Sequence, residues 1–530
     1  MRKTVLNRVA SAIFRLARDN RGNTMAIVAG AIIPLTAVIG GGLDIARANL
    51  AQSRLSQACD AAALAGRRAM SNEDIETAKP EATKFFNFNF PQKYMGTAAF
   101  TPVITKPDTG TVKVAAATTV PTTIMKIFGH ASIPIKVDCD ATQNFDNLDI
   151  VLVLDVTGSM ANNLSGEQKI VSLRKAVMAL YDELASAQTQ LSAQGLRLRY
   201  AIVPYSMTVN VGKLVRAVDS NYIANSWTYQ TRYGETAYSC GKNGKSTCYS
   251  YTYGPKALDV SAFAAGSAVN IKNWVGGSDN SVSWNGCIEE RKTVNTITSS
   301  SSSAFSNIPS GAFDLNIDKV PDSNAATKWG PHFPDVVYAP NDSSPRPEYC
   351  PKEARRLAVT SRTDMQNYVD ALTPVGGTYH DIGMIWGAHF ISRGGIFAGD
   401  NPSIYNDRPV NRYVIYMTDG LMDPDPPSYV AYGVETYDRR VIGGTYGTSV
   451  DDSSGSELEK RHTVRFQMAC NAAKQGGASI WTIAFGVSAP QSLKDCASSS
   501  DQWSTSANST DLIAKFKEIG KNIGALRLSK

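Results

Sequence analysis

The hydrophobic pattern divides the chain into three stretches with different rhythms. Residues 24–43, "TMAIVAGAIIPLTAVIGGGL", are twenty apolar and small positions without a charge, enough to cross a bilayer as a helix. Ala46-Arg47-Ala48 resembles the small-residue cleavage site of a signal sequence. The apolar run is longer than a usual signal core, and an Ala-rich helical pattern continues straight through 46–48, so a retained transmembrane helix is expected. That pattern, "DIARANLAQSRLSQACDAAALAGRRAM", has no Gly or Pro before Gly66, and Ile45, Leu55, Ala58 and Ala62 fall on one weakly apolar face. Residues 97–140 then alternate, with β-branched residues in "TVKVAAATTV" and "IPIKVDCDA", which predicts a small antiparallel sheet. A long helix followed by such a sheet is a pilin-like, α+β order of elements.

From Leu148 the rhythm becomes strand and helix in alternation. "LDIVLVLD" leads into a helix through Leu173, Val177, Leu180 and Leu184. The apolar runs "LRYAIVPYS" from Leu198, "NRYVIYMTDG" at 411–420 and "ASIWTIAFG" at 478–486 follow, and an amphipathic helix carries Leu512, Phe516, Ile519 and Ile523. Near-continuous apolar strands alternating with helices predict an α/β, mostly parallel sheet covered on both faces. The rhythm fails over about 207–362, which is rich in Ser, Asn, Tyr, Trp and Gly. A loop of that length inside a compact domain must carry structure of its own, so it reads as an insertion, with the serine run "TSSSSSAFSN" as a flexible tip. A shorter insertion covers about 423–460.

Length and charge refine this picture. A chain of 530 residues exceeds one compact core. The division expected is a basic segment 1–22, a transmembrane helix 23–43, a helix plus small β region 44–145, and an α/β domain 146–530. Arg2, Lys3, Arg8, Arg15, Arg18 and Arg21 stand against Asp19 alone in residues 1–21, so most of the formal net charge of +6 lies there. The remainder is near neutral and offers no nucleic-acid surface. Basic charge ahead of the span orients the N-terminus to the cytoplasm and everything after about residue 44 to the periplasm.

Export permits disulfides, and the cysteines are even in number: Cys59, Cys139, Cys240, Cys248, Cys287, Cys350, Cys470 and Cys496. Cys470 ends a predicted helix and Cys496 follows the next strand, so a bridge between them would tie helix to strand exit. Cys240 is expected to pair with Cys248 on closeness alone, and Cys287 with Cys350 and Cys59 with Cys139 are separate guesses among the pairings that remain.

Candidate chemistry sits at strand ends, where open parallel sheets gather their ligands. "DVTGSM" follows the strand "LDIVLVLD" and supplies Asp155, Thr157 and Ser159; "YMTDG" supplies Asp419. Two acids and two hydroxyls describe a hard-cation site, Mg²⁺ above all, with Mn²⁺ or Ca²⁺ as alternatives, and waters complete the shell. No phosphate loop, HExxH or GxSxG motif is present. His380 and His389 are nine residues apart on one helical stretch and read as packing residues, and Ser159 has no neighbouring base. An enzyme is not expected.

These residues carry two resemblances. "DVTGSM", "TPVGGTYHDIGMIWG" at 373–387 and "YMTDG" resemble, in order, the three loops of the von Willebrand factor type A domain. The resemblance implies a Rossmann-like, doubly wound sheet with large insertions, and that family's metal-ion-dependent adhesion site on Asp155, Thr157, Ser159, Thr378 and Asp419. Thr157 stands where serine is more usual. "GGTYG" at 443–447 offers Thr445 as a rival, but the family order places the threonine before the last acid. Second, "RGNTMAIVAGAIIPLTAVIGGGLDIARANLAQSRLSQACDAAALAG" and the C-terminal "CASSSDQWSTSANSTDLIAKFKEIGKNIGALRLSK" resemble TadG-type proteins of the tight-adherence (Flp) pilus assembly system. That resemblance implies an inner-membrane-anchored, periplasm-facing component that grips a partner carboxylate, on another pilus or envelope protein, through Mg²⁺. The alternative is a structural envelope or pilus component whose metal only stabilises the fold.

Overall fold

The computed structural model describes residues 23–524 apart from 71–73, 109, 143–145, 243–244 and 273–278; the basic segment 1–22 lies outside the described residues. The chain forms two compact units, divided between residues 144 and 145.

In the first unit, helix α1 (Asn23–Ala69) runs without interruption through Pro34 and through the boundary expected near 43. Among the described residues it alone is long and apolar enough to cross a membrane, by length and composition. Its second half buries Ala51, Leu55, Ala58 and Ala62, whereas Ile45 is half exposed. The packed face begins instead at Asp44 and Ala48, a rotation that small side chains permit because they mark no strong stripe of their own. Helix α2 (Ile75–Asn89) was not expected. Its signals are the Asp74 side chain accepting the Glu76 N–H at 3.0 Å, and Ala78, Ala82 and Phe86 at four-residue spacing. Gly66 lets α1 and α2 meet, since a Cβ there would lie 2.9 Å from the Ala82 methyl. Strands β1 (Val103–Thr105), β2 (Thr111–Pro121) and β3 (Ser132–Thr142) form an antiparallel sheet in that order, and Cys59–Cys139 joins α1 to β3.

The second unit is built on β4 (Asn147–Asp155), α3 (Lys169–Ala193), β5 (Leu198–Tyr205), a long hairpin of β6 (Ser226–Cys240) and β7 (Ser246–Asp259), then β8 (Arg355–Ala358), α4 (Arg362–Asp370), α5 (His380–Ile391), β9 (Arg408–Thr418), α6 (Glu457–Gln475), β10 (Ala478–Phe485), α7 (Gln491–Cys496), β11 (Trp503–Ser506) and α8 (Ser509–Gly524). Its main sheet has the order β8-β5-β4-β9-β10-β11. Along that order every pair is parallel except β8 with β5, and the two-residue strand Ile404–Tyr405 adds an antiparallel pair on β9. The short strands β8 and β11 were not anticipated, because four residues carry too little periodicity to stand out.

All residues of β4 and β5 are buried, as a sheet covered on both faces requires. Alternate positions divide between the faces: Val151, Val153, Val203, Val414 and Tyr416 join the core that includes α5 and α6, and the alternate Ile150, Leu152 and Leu154 face the other way. Gly383 and Gly387 let α5 approach closely, for a Cβ would lie 2.6 Å from the Tyr205 ring at the first and 2.5 Å from Val153 Cγ2 at the second. The terminal helix α8 packs on α3 through Leu512, Phe516, Ile519 and Ile523, all buried.

The region between β5 and β8 adds to this core, with Ile288, Trp329, Phe333 and Val337 buried. The serine run is not a loose tip. The Ser299 N–H donates to Glu457 Oε1 at 3.1 Å and Asn471 Nδ2 donates to the Ser303 carbonyl at 2.8 Å, so α6 holds it. Further bridges join Cys240 to Cys248 beside the turn of the β6–β7 hairpin, Cys287 to Cys350, and Cys470 to Cys496. Cys470 lies inside α6, which continues to Gln475, and Cys496 closes α7.

Candidate functional site

Strands β4 and β9 are adjacent and parallel, with Leu154 beside Met417. The residue after each register position therefore emerges at the same carboxyl edge of the sheet. Asp155 ends β4 there and is fully buried; Thr418 and Asp419 leave β9 beside it and are buried as well. The turn after β4 folds back on Asp155, whose Oδ1 accepts the Thr157 N–H at 2.9 Å. Its other oxygen accepts from Thr418 Oγ1 at 2.7 Å and from the Tyr205 hydroxyl at 3.3 Å.

Hydroxyls continue the chain of bonds. Thr157 Oγ1 and Ser159 Oγ are 2.9 Å apart, and Ser159 Oγ donates to Asp419 Oδ1 at 2.7 Å. Asp155, Thr157, Ser159 and Asp419 thus converge as one network. Thr378 is on the adjoining loop: Gly158 N–H donates to the Gly376 carbonyl at 2.7 Å, Val375 N–H to the Val156 carbonyl at 2.7 Å, and Asp423 N–H to the Thr378 carbonyl at 3.0 Å. Thr378 is buried, and its Oγ1 lies 4.0 Å from where a Cβ on Gly420 would stand. Thr445 is exposed, in a turn where Thr448 Oγ1 donates to its carbonyl at 2.9 Å.

Three participants escaped the sequence reading. Thr418 bridges Asp155 to His380, whose Nε2 lies 3.1 Å from Thr418 Oγ1; burial pushes the His380 imidazole down to about 3, so it is neutral. Tyr416 donates its hydroxyl to that of Tyr205 at 2.7 Å. Lys169 is the third. The chain turns back after Ser159 through a two-residue hairpin, Asn163–Leu164 with Glu167–Gln168, whose turn residues Ser165 and Gly166 both have positive φ, 53° and 91°. That return delivers Lys169 at the start of α3, where its Nζ pairs with Asp419 Oδ2 at 2.8 Å. The "SG" dipeptide between short polar runs was the available signal.

Electrostatically the edge is short of positive charge. Burial, and then repulsion from Asp419, push the Asp155 carboxyl up to about 6. All side-chain donors to a ligand are oxygens, two of them carboxylate, which suits a small hard cation and not a thiolate- or imidazole-loving one. Among the described residues no group of three or more His, Cys, Asp or Glu could hold a metal. A cation here would therefore rely on Thr157, Ser159 and Thr378 hydroxyls and on water beside the two acids, and the donor set fits Mg²⁺ on those terms.

Residues 22–71 match the family described as "Putative Flp pilus-assembly TadE/G-like", so the resemblance drawn from the N-terminal segment holds there. Curated proteins yield no match. Similar solved structures include the pilus adhesin SpaC from Lactobacillus rhamnosus GG, at 12% identity and TM-score 0.31 over 80% of this chain and 34% of that one. The von Willebrand domain of the type V pili tip protein Mfa5 from Porphyromonas gingivalis matches at 12% identity and TM-score 0.31, over 73% of this chain and 98% of that one. The PilB minor pilin from Streptococcus sanguinis matches at 13% and 0.30, over 80% and 78%. The chain spans about a third of the length of SpaC.

Proposed function

We propose that this protein is an envelope-anchored pilus-assembly or adhesion component that binds a partner carboxylate through a divalent cation at the Asp155–Asp419 edge. The observation that carries the reading is the convergence of Asp155, Thr157, Ser159 and Asp419 from two separate strand ends into one buried oxygen network. The strand order, with edge strand β8 antiparallel to β5 and the central strands parallel, supports a von Willebrand type A, Rossmann-like domain with insertions, and α1 with its three-stranded sheet supports a pilin-like anchor region. Mg²⁺ is the proposed ion; bound, it would supply an open coordination position for an acidic group. Asp155 and Asp419 would provide the charge, while Thr157, Ser159 and Thr378 would orient the ion without neutralising it. The TadE/G-like segment supports other pilus or envelope proteins as partners, with the bulk of the chain in the periplasm and no catalytic step.

The alternative, a metal that merely stiffens the loops, has less support. Main-chain bonds already join the three loops, and Lys169 already balances Asp419. Crosslinking in the native envelope, with and without chelator, tests the choice. A partner captured by wild type, lost with EDTA and lost in Asp155→Ala while circular dichroism is unchanged, is the expected result. Capture indifferent to both, or unfolding on chelation, would overturn it.

A further inference from the structure

Where the apolar stretch of α1 ends, the turn between β2 and β3 is clamped onto the helix by polar contacts and one close approach. Asp44, 2% exposed, accepts three successive main-chain N–H groups with its carboxylate: Thr123 at 2.9 Å, Ile124 at 2.9 Å and Met125 at 2.8 Å. Those bonds hold its carboxyl below the usual range. One turn later on the same face, Arg47 Nη1 donates to Thr123 Oγ1 at 2.8 Å. One turn earlier, Gly40 leaves room for Ile124, whose Cγ2 would stand 2.3 Å from any Cβ at that position. Clasp, clamp and close approach fix the turn at the level of residues 40–47.

The tip so held is apolar and uncovered. Met125–Phe128 form a single 3₁₀ turn that leaves Ile127 78% exposed and Phe128 43% exposed. Toward the N-terminus the same surface continues without a break. Val28, Ile32, Leu35 and Ile39 line a shallow groove on α1 that ends on Ile124, and Val38 and Ile39 are 75% and 67% exposed. Lys126 and His130 are exposed and border the apolar pair.

We propose that the Ile124–Phe128 turn is a second membrane contact, seated in the interfacial layer of the bilayer beside α1 and dipping Ile127 and Phe128 among the acyl chains. The proposal rests on the reading of α1 as a membrane anchor. Lipid is the occupant because the uncovered tip is continuous with the apolar surface of the span and lies at its last turn, where hydrocarbon gives way to headgroups. Lys126 is placed to meet anionic headgroups there. The consequence is functional: a lone helix can rotate and tilt in the bilayer, whereas a helix clasped to an interfacial wedge presents its attached sheet in one fixed orientation.

The test uses the full chain in vesicles of phosphatidylethanolamine and phosphatidylglycerol. All eight cysteines are disulfide-bonded, so a single introduced cysteine can carry a nitroxide. Labels are placed at Ile127→Cys, at Val38→Cys within the apolar stretch, and at Asp108→Cys, an exposed position near the opposite end of β2. Relaxation by oxygen against relaxation by a water-soluble nickel chelate reports depth. The expected result is a preference for oxygen at 38 and at 127, several-fold above that at 108. Gly40→Leu, which evicts Ile124, should return the 127 label toward the value at 108 and leave 38 unchanged. If 38 prefers oxygen while 127 matches 108, the wedge is refuted and the anchor stands; if 38 also matches 108, the anchor itself is refuted. Protection of 127 from both reagents with broadening between labels on separate chains would overturn the proposal in favour of a second copy covering the tip.

Discussion

Replacing Lys169 by methionine separates the site's own cation from a bound one. Lys169 Nζ lies 2.8 Å from Asp419 Oδ2, with 12% and 0% of the two side chains exposed. At that distance two unit charges attract by about 6 kcal/mol at an effective dielectric of roughly 20. Much of that is offset by desolvation. Removing one partner of a buried pair costs about 3–5 kcal/mol, because the other charge is left unpaired. Lys169 retains some contact with water, so the lower figure, about 3 kcal/mol, applies. For a unit spanning residues 145–525, that corresponds to a fall in Tm of about 4 °C, from the per-residue entropy of unfolding. Lys169→Met should show this fall in EDTA by scanning calorimetry of the full chain in detergent. Excess Mg²⁺ should abolish most of it, and the double variant Lys169→Met/Asp419→Asn should recover stability in EDTA. In wild type the ion must compete with the ammonium for Asp419. If half of that net cost of about 3 kcal/mol is released to binding, Mg²⁺ affinity in Lys169→Met rises roughly tenfold, at about 1.4 kcal/mol per factor of ten. An unchanged Tm in EDTA together with an unchanged Mg²⁺ affinity would refute the reasoning.

Two further outcomes follow from buried groups elsewhere in the α/β unit. Glu289 is buried beside Arg440 (2.8 Å) and the Tyr429 hydroxyl (2.7 Å), and burial outweighs the arginine and pushes its carboxyl up from 4.5 to about 7. The folded chain therefore keeps a proton that the unfolded chain releases near pH 4.5, so raising pH through about 4.5–7 removes roughly 3 kcal/mol of stability. Urea titrations of Glu289→Gln across that window should lack this contribution; a slope equal to wild type would contradict it. Gly387→Ala puts a methyl 2.5 Å from Val153 Cγ2 and should cost about 1–3 kcal/mol by overpacking. Val153→Ala in the same chain should restore part of the loss, and additive losses would show that the two do not touch.

Much of the architecture is legible because it is local. The run Ile150–Leu154 can only be a buried strand, and a strand buried on both faces needs helices on both sides: the spacing of Leu173, Leu180, Leu512 and Phe516 marks the pair that covers one face, and α5 and α6 cover the other. Asp155, Thr157, Ser159 and Asp419 meet at one edge of the sheet because each follows a strand, and Thr378 lies on the loop beside them. Asp155 and Asp419 are neighbours because β4 and β9 are, and parallel pairing aligns their ends.

What the sequence left undecided depends on contacts between distant positions. Lys169 is an ordinary surface-type residue until the Ser165-Gly166 turn carries it back to Asp419, 250 positions away. Asp44 looks like one charge at the end of an apolar helix, yet its partners are the main-chain groups of residues 123–125, which carry no side-chain signature. The face of α1 that is buried, from Asp44 rather than Ile45, was set by the sheet and the α2 helix that cover it. Local periodicity determines which segments become helix or strand; which polar atom meets which is fixed only when packing brings remote backbone and side chains within about 3 Å, the range at which a hydrogen bond forms.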